Sequence, residues 1–161
     1  MPRIIARIVL FLFLLTLVAC REEVPAVEWE LTIDGDVNQP VTYTFQDLVQ
    51  LRRAKLVNIL THNPEDPNDR VSWEGVTLFL LFQEPGGVVY SVDWLVSITL
   101  ADGTRQSINL TKLRGALIAF KDGDGTWLAE AGAAPIKLIA PNQPSSTWLD
   151  GPVRITVNAP Q

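Results

Sequence analysis

The only histidine of the chain, His62, lies in the polar run Thr61-His62-Asn63-Pro64-Glu65-Asp66-Pro67-Asn68-Asp69-Arg70, between two apolar stretches. An imidazole beside hydroxyl, amide, guanidinium and carboxylate groups could bind a small polar ligand or relay a proton. Thr61, His62, Asn63, Arg70 and the nearby Trp73 are therefore the candidate pocket residues. A lone histidine lacks the partners of a catalytic or metal centre, which favours an ordinary loop histidine with one ring nitrogen on a backbone carbonyl. Glu65, Asp66, Asn68 and Asp69 could approach a hard cation such as calcium, but two prolines in the same run suit a solvated turn better. Asp122-Gly123-Asp124-Gly125 opens like a calcium loop, lacks the downstream glutamate and reads as a hairpin turn. Serine chemistry finds no support, because the single histidine would have to be the base and no Gly-x-Ser-x-Gly turn exists.

A second reactive group is the only cysteine, Cys20, which ends Leu17-Val18-Ala19-Cys20 after the positive Arg3 and Arg7 and the apolar run Ile8 to Leu15. This is the pattern of a signal peptide (residues 1–19) with a lipobox. Small residues fit the peptidase, and the thiol takes the lipid. The apolar run is shorter than the roughly 20 residues of a spanning helix. A diacylglyceryl thioether with an N-acyl chain such as palmitate anchors stably, at about 0.8 kcal/mol per buried methylene. The alternative is a cysteine buried in an ordinary apolar helix. The expected location is the cell envelope, membrane-anchored and outside the cytoplasm. A bacterial lipobox also makes the glycosylation pattern Asn109-Leu110-Thr111 irrelevant.

From Cys20 onward there is no other cysteine for a disulfide or thiolate metal site, and 11 Lys and Arg face 18 Asp and Glu, a net charge of −7. That balance argues against nucleic acid and against adsorption of the body to anionic headgroups, leaving the acyl chains as the attachment. Residues 20–27 read as a lipidated tether and residues 28–161 as one domain.

The elements that must position the loop follow from periodicity. Trp29, Leu31 and Ile33 alternate with polar residues as in a half-buried strand, and Val41 to Phe45 repeats the pattern after Pro40. Thr44 or Gln46 could cap a short helix Asp47 to Leu51, with Asp47 in the first turn. Ala54 to Leu60 is the strand feeding the loop. Beyond it, Gly75 permits a turn, and Thr77 to Phe82 reads as a buried short helix ending before Glu84-Pro85-Gly86-Gly87. Trp94 to Leu100 and Thr104 to Leu110 flank Asp102-Gly103 as a hairpin. Ala116 to Phe120, Ile136 to Ala140 and Val153 to Val157 are further strands. Most of the five tryptophans read as core, and Trp127 and Trp148, in turn-rich segments, are the two to test for exposure. Many short strands with two or three short helices indicate an α+β or mainly β fold.

This ordered set resembles the oxidoreductase molybdopterin-binding domain of the sulfite oxidase type. The residues that carry the likeness are Trp29 to Gly35, Pro40 with the Asp47-Leu48 helix, Trp73-Glu74-Gly75-Val76-Thr77-Leu78, the Ala101-Asp102-Gly103 hairpin, Leu117-Ile118-Ala119, Ala134 to Pro141 and Trp148 to Val157. The resemblance implies mostly short mixed strands with a few short helices. It also implies a cysteine after the strand matching Ala54 to Leu60, holding molybdenum through its thiolate. Here Thr61 is the best match to that cysteine, within about two residues, and a threonine hydroxyl is a hard, protonated oxygen. The expectation is a non-catalytic lipoprotein without a cofactor, binding a small ligand or an envelope protein in an accessory role. The alternatives are a working molybdopterin-dependent oxidoreductase with an unusual ligand set, and a structural envelope component.

Overall fold

The computed structural model describes residues 22–63, 65–83 and 94–159. The proposed signal peptide, Cys20, Pro64 and the turn at Glu84-Pro85-Gly86-Gly87 lie outside the described residues. The chain runs through strands β1 (Glu30–Gly35) and β2 (Val41–Thr44), helix α1 (Phe45–Gln50), β3 (Ala54–Leu60), β4 (Arg70–Thr77) and α2 (Leu78–Gln83). It continues with β5 (Leu95–Leu100), β6 (Arg105–Asn109), β7 (Leu117–Asp122), β8 (Lys137–Ile139), β9 (Leu149–Asp150) and β10 (Pro152–Asn158). Short 3-10 turns cover Leu110–Leu113 and Ser145–Thr147. Mostly strands with two short helices among the described residues, this is a mixed α+β architecture.

Two five-stranded sheets result, ordered β2-β1-β10-β5-β6 and β3-β4-β7-β8-β9. Only β1 and β10 pair in parallel among the described strands. Alternation decides which face of the first sheet is buried: Leu31 and Ile33 of β1, Ile155 and Val157 of β10, and Val96 and Ile98 of β5 are fully buried. These join Val76, Leu117, Ile118, Phe120 and Leu138 of the second sheet in one core cluster. Helix α1 is set by its sequence start. Thr44 Oγ1 accepts from the Asp47 N–H at 3.2 Å while the Asp47 carboxylate accepts from the Thr44 N–H at 2.9 Å. The Thr44 side chain, then its backbone, hold the Asp47 carboxyl below its ordinary value.

One expectation is corrected and one open point is answered. Gly75 makes no turn but lies inside β4, at a register irregularity against β7. A Cβ there would fall 2.0 Å from the Ile118 carbonyl oxygen and 2.6 Å from Ala119 Cα, so the close approach of β7 is what requires glycine. Trp127 and Trp148 are not exposed; they are 4% and 8% accessible. Trp127 stacks on Phe120, and Trp148 donates its indole N–H to the Ala140 carbonyl at 3.0 Å, so each turn-rich segment is pinned by its own ring. The Asp122 turn does form, with Asp122 Oδ1 accepting from the Asp124 and Thr126 N–H groups.

Candidate functional site

β3 ends at Leu60 and delivers Thr61 into the interior, 4% exposed. Its N–H donates to the Asp69 carbonyl at 3.1 Å, and its carbonyl accepts from the Ser145 N–H at 2.7 Å. Its hydroxyl donates to Asp69 Oδ2 at 2.9 Å and accepts from the Asn63 N–H at 3.3 Å. All the polar groups of Thr61 are therefore engaged, which satisfies the rule that buried polar groups find partners. The rest of the loop is similarly self-bonded. Asn63 Oδ1 accepts from the Glu65 N–H, and Asp66 Oδ1 from the Asn68 N–H, each at 3.0 Å.

His62 follows in the left-handed region at φ 55°, exposed, with no hydrogen-bond or ion-pair partner among the described residues. The expected bond from its ring to a backbone carbonyl is not made, because this backbone turn leaves the imidazole in solvent. Arg70 goes elsewhere as well. Its guanidinium donates to the Asn58 carbonyl at 2.8 Å, bracing the irregular middle of β3 where Asn58 stands at φ 54°. The candidate pocket residues thus separate into a buried, bonded Thr61 with Asn63, an outward His62 and an Arg70 spent on β3.

Trp73, on β4, meets Trp148 edge to face at 6.2 Å, and the Lys137 ammonium stands 5.8 Å from the Trp73 ring centre. Its indole nitrogen is buried without a hydrogen-bond partner among the described residues. The segment 145–148 therefore contacts both sides of the site: Ser145 binds Thr61 and Trp148 binds Trp73. Sequence reasoning missed Ser145, Lys137 and Trp148 as members of this group. Only Trp148, a large aromatic in a turn-rich stretch, carried a signal that could have found it. Lys137 is paired to Asp150 at 3.0 Å. A concavity of about 940 Å³ lies elsewhere, on the first sheet beside Trp29, Thr32, Thr99, Arg105 and Arg154.

Residues 20–159 match the oxidoreductase molybdopterin binding domain. The chain belongs to that family. Its fold is also similar to the sulfane dehydrogenase SoxCD from Paracoccus pantotrophus, with a TM-score of 0.64 at 20% identity over 85% of this chain. The likeness concerns the fold, and the chain spans 40% of the dehydrogenase chain's length. No curated protein matches it.

Family membership makes the donor set at Thr61 informative. The group gathered there is an alcohol, a carboxylate and backbone amides, all hard and mutually bonded. Among the described residues no three His, Cys, Asp or Glu side chains converge as metal ligands. Both nearby cations, Arg70 and Lys137, already have partners.

Proposed function

We propose that this chain is a lipid-anchored, extracytoplasmic member of the molybdopterin-binding domain family that acts by binding rather than by molybdenum chemistry. The observation that carries the reading is the buried Thr61 hydroxyl donating to Asp69 at 2.9 Å. An alcohol in that position keeps its proton, whereas the family ligand that the resemblance implies there is a soft, anionic sulfur. An anionic cofactor would also meet the Asp69 carboxylate, and the nearby Arg70 and Lys137 are already paired among the described residues. The residues present therefore do not fit the group. One donor next to Thr61, the exposed imidazole of His62, has no partner among the described residues. It suits a small ligand with an acceptor oxygen, or a loop of an envelope protein.

Elemental analysis of protein purified from its native host tests this. The expected result is no stoichiometric molybdenum; one molybdenum per chain overturns the reading. The anchor is tested apart from the site, since Cys20→Ser is expected to release the protein from membranes and to remove the lipid mass.

A further inference from the structure

The described N-terminal residues 22–29 have almost no regular secondary structure, yet they lie on the domain. Val24 and Val27 pack against the core, and Gln46 donates its amide to the Pro25 carbonyl at 3.0 Å. Glu22 then closes an ionic network over the second sheet. Lys55, Glu74 and Lys121 form one row across β3, β4 and β7. Glu74 accepts from Lys55 at 3.0 Å and from Arg53 at 3.1 Å, and Arg53 reaches on to Glu22 at 2.9 Å. Glu22 also pairs with Lys121. The Lys121 side chain is 8% exposed, and its ammonium stands 4.1 Å from the centre of the Trp127 ring. Burial pulls its pKa down against the acids Glu130 and Asp122. Removing one partner from so buried a charge is costly, so the arm is held to the sheet.

Cys20 precedes Glu22 by two residues, a length that can span at most about 7 Å. Resting on the lipid-anchor reading, we infer that Glu22 is a latch that removes the slack from the anchor and turns the β3 edge onto phospholipid headgroups. β3 is the outer strand of its sheet. Arg52, just before it, is exposed with no partner among the described residues. The Lys55 side chain is 70% exposed, and Val57 follows it at 62%. Cations with an aliphatic neighbour suit the phosphate layer, although the body as a whole is acidic. The Thr61 loop leaves the far end of β3, about 20 Å along the strand, and stays clear of the headgroups.

The four lysines make this measurable by amine acylation and mass spectrometry. Lipidated protein in vesicles of phosphatidylcholine and phosphatidylglycerol is compared with the same protein in detergent. Lys55 labelling is expected to fall on vesicles by about tenfold, the factor for ~1.4 kcal/mol, with Lys112 and Lys137 unchanged and Lys121 unreactive throughout. Glu22→Gln is expected to restore Lys55 labelling and to raise that of Lys121 by a similar factor, while Glu22→Asp keeps the protection. Equal protection of Lys55 and Lys112 overturns the latch. So does a Lys121 that stays unreactive in a Glu22→Gln protein of unchanged circular dichroism. The wild-type comparison decides even where that variant misfolds. Intact mass reports separately on the anchor: a bare Cys20 sinks the lipid reading, and coupling that single thiol to a maleimide phospholipid still lets the footprint decide the latch.

Discussion

Replacing Thr61 by valine keeps the shape of the side chain and deletes its hydroxyl, so it isolates what that oxygen does. No cavity opens, and the change falls on two hydrogen bonds of a residue that is 4% exposed. The bond to the Asp69 carboxylate is charge-assisted, a class with a net value of roughly 1.5–3 kcal/mol. Asp69 is only half-buried, so water recovers part of that loss. The longer bond from the Asn63 N–H, at 3.3 Å, adds at most about 1 kcal/mol. Thr61→Val should therefore cost about 2–3 kcal/mol. With a urea slope near 2 kcal/mol per molar, the unfolding midpoint moves down by about 1–1.5 M at unchanged slope. A cycle with Asp69→Asn should return a coupling of about 1 kcal/mol or more. A midpoint shift below about 0.3 M, or no coupling, would refute the claim that this hydroxyl is a structural tie. Thr61→Cys should lose nearly as much as valine, because a thiol is a weak donor. A thiol at this position thus opposes the packing that the loop has settled into.

Four further outcomes follow from the structure. Gly75→Ala should abolish soluble expression or cost more than about 4 kcal/mol, since the new Cβ meets β7 backbone and not a movable side chain; yield and thermal melting check this. Burial alone would raise the Glu74 carboxyl, but its bonds to Lys55 and Arg53 outweigh that and hold it below the ordinary value. Its stabilisation is therefore complete above the unfolded value of 4.5 and is lost as pH falls through the lower folded one. Glu74→Gln should accordingly flatten the acid limb of a stability-against-pH profile. Trp73→Phe should stay within about 1 kcal/mol of wild type in urea unfolding, because deleting an unpartnered buried donor offsets the lost ring area. Trp148→Phe, which loses a satisfied bond to Ala140, should cost about 2 kcal/mol.

Much of the fold was legible because short-range signals agreed with burial. The alternation of Leu31 and Ile33, the Asp102-Gly103 turn and the Thr44 cap each specify local structure on their own. Gly75 misled because a glycine marks either a turn or a close backbone approach, and only the partner strand, distant in sequence, distinguishes the two. Trp127 and Trp148 stayed open for a related reason: turn-rich flanks say nothing about whether a ring folds inward. At the site, the loop and its polar character could be read. The bond from Ser145 to the Thr61 carbonyl could not, since it joins residues 84 positions apart whose types carry no pairing signal. The two-residue strand β9 is too short for any periodicity.

The parallel pairing of β1 with β10 has a consequence for how the molecule is made. Its partner strands β1 and β5 are synthesised long before β10, which then inserts between them at the middle of the sheet. Until it arrives, the β1–β2 and β5–β6 pairs are two separate ribbons with unsatisfied edges, so the first sheet cannot close before β10 has been made. Clipping β10 would accordingly remove a centre and not a margin, and leave two hairpins joined only through the core they share with the second sheet.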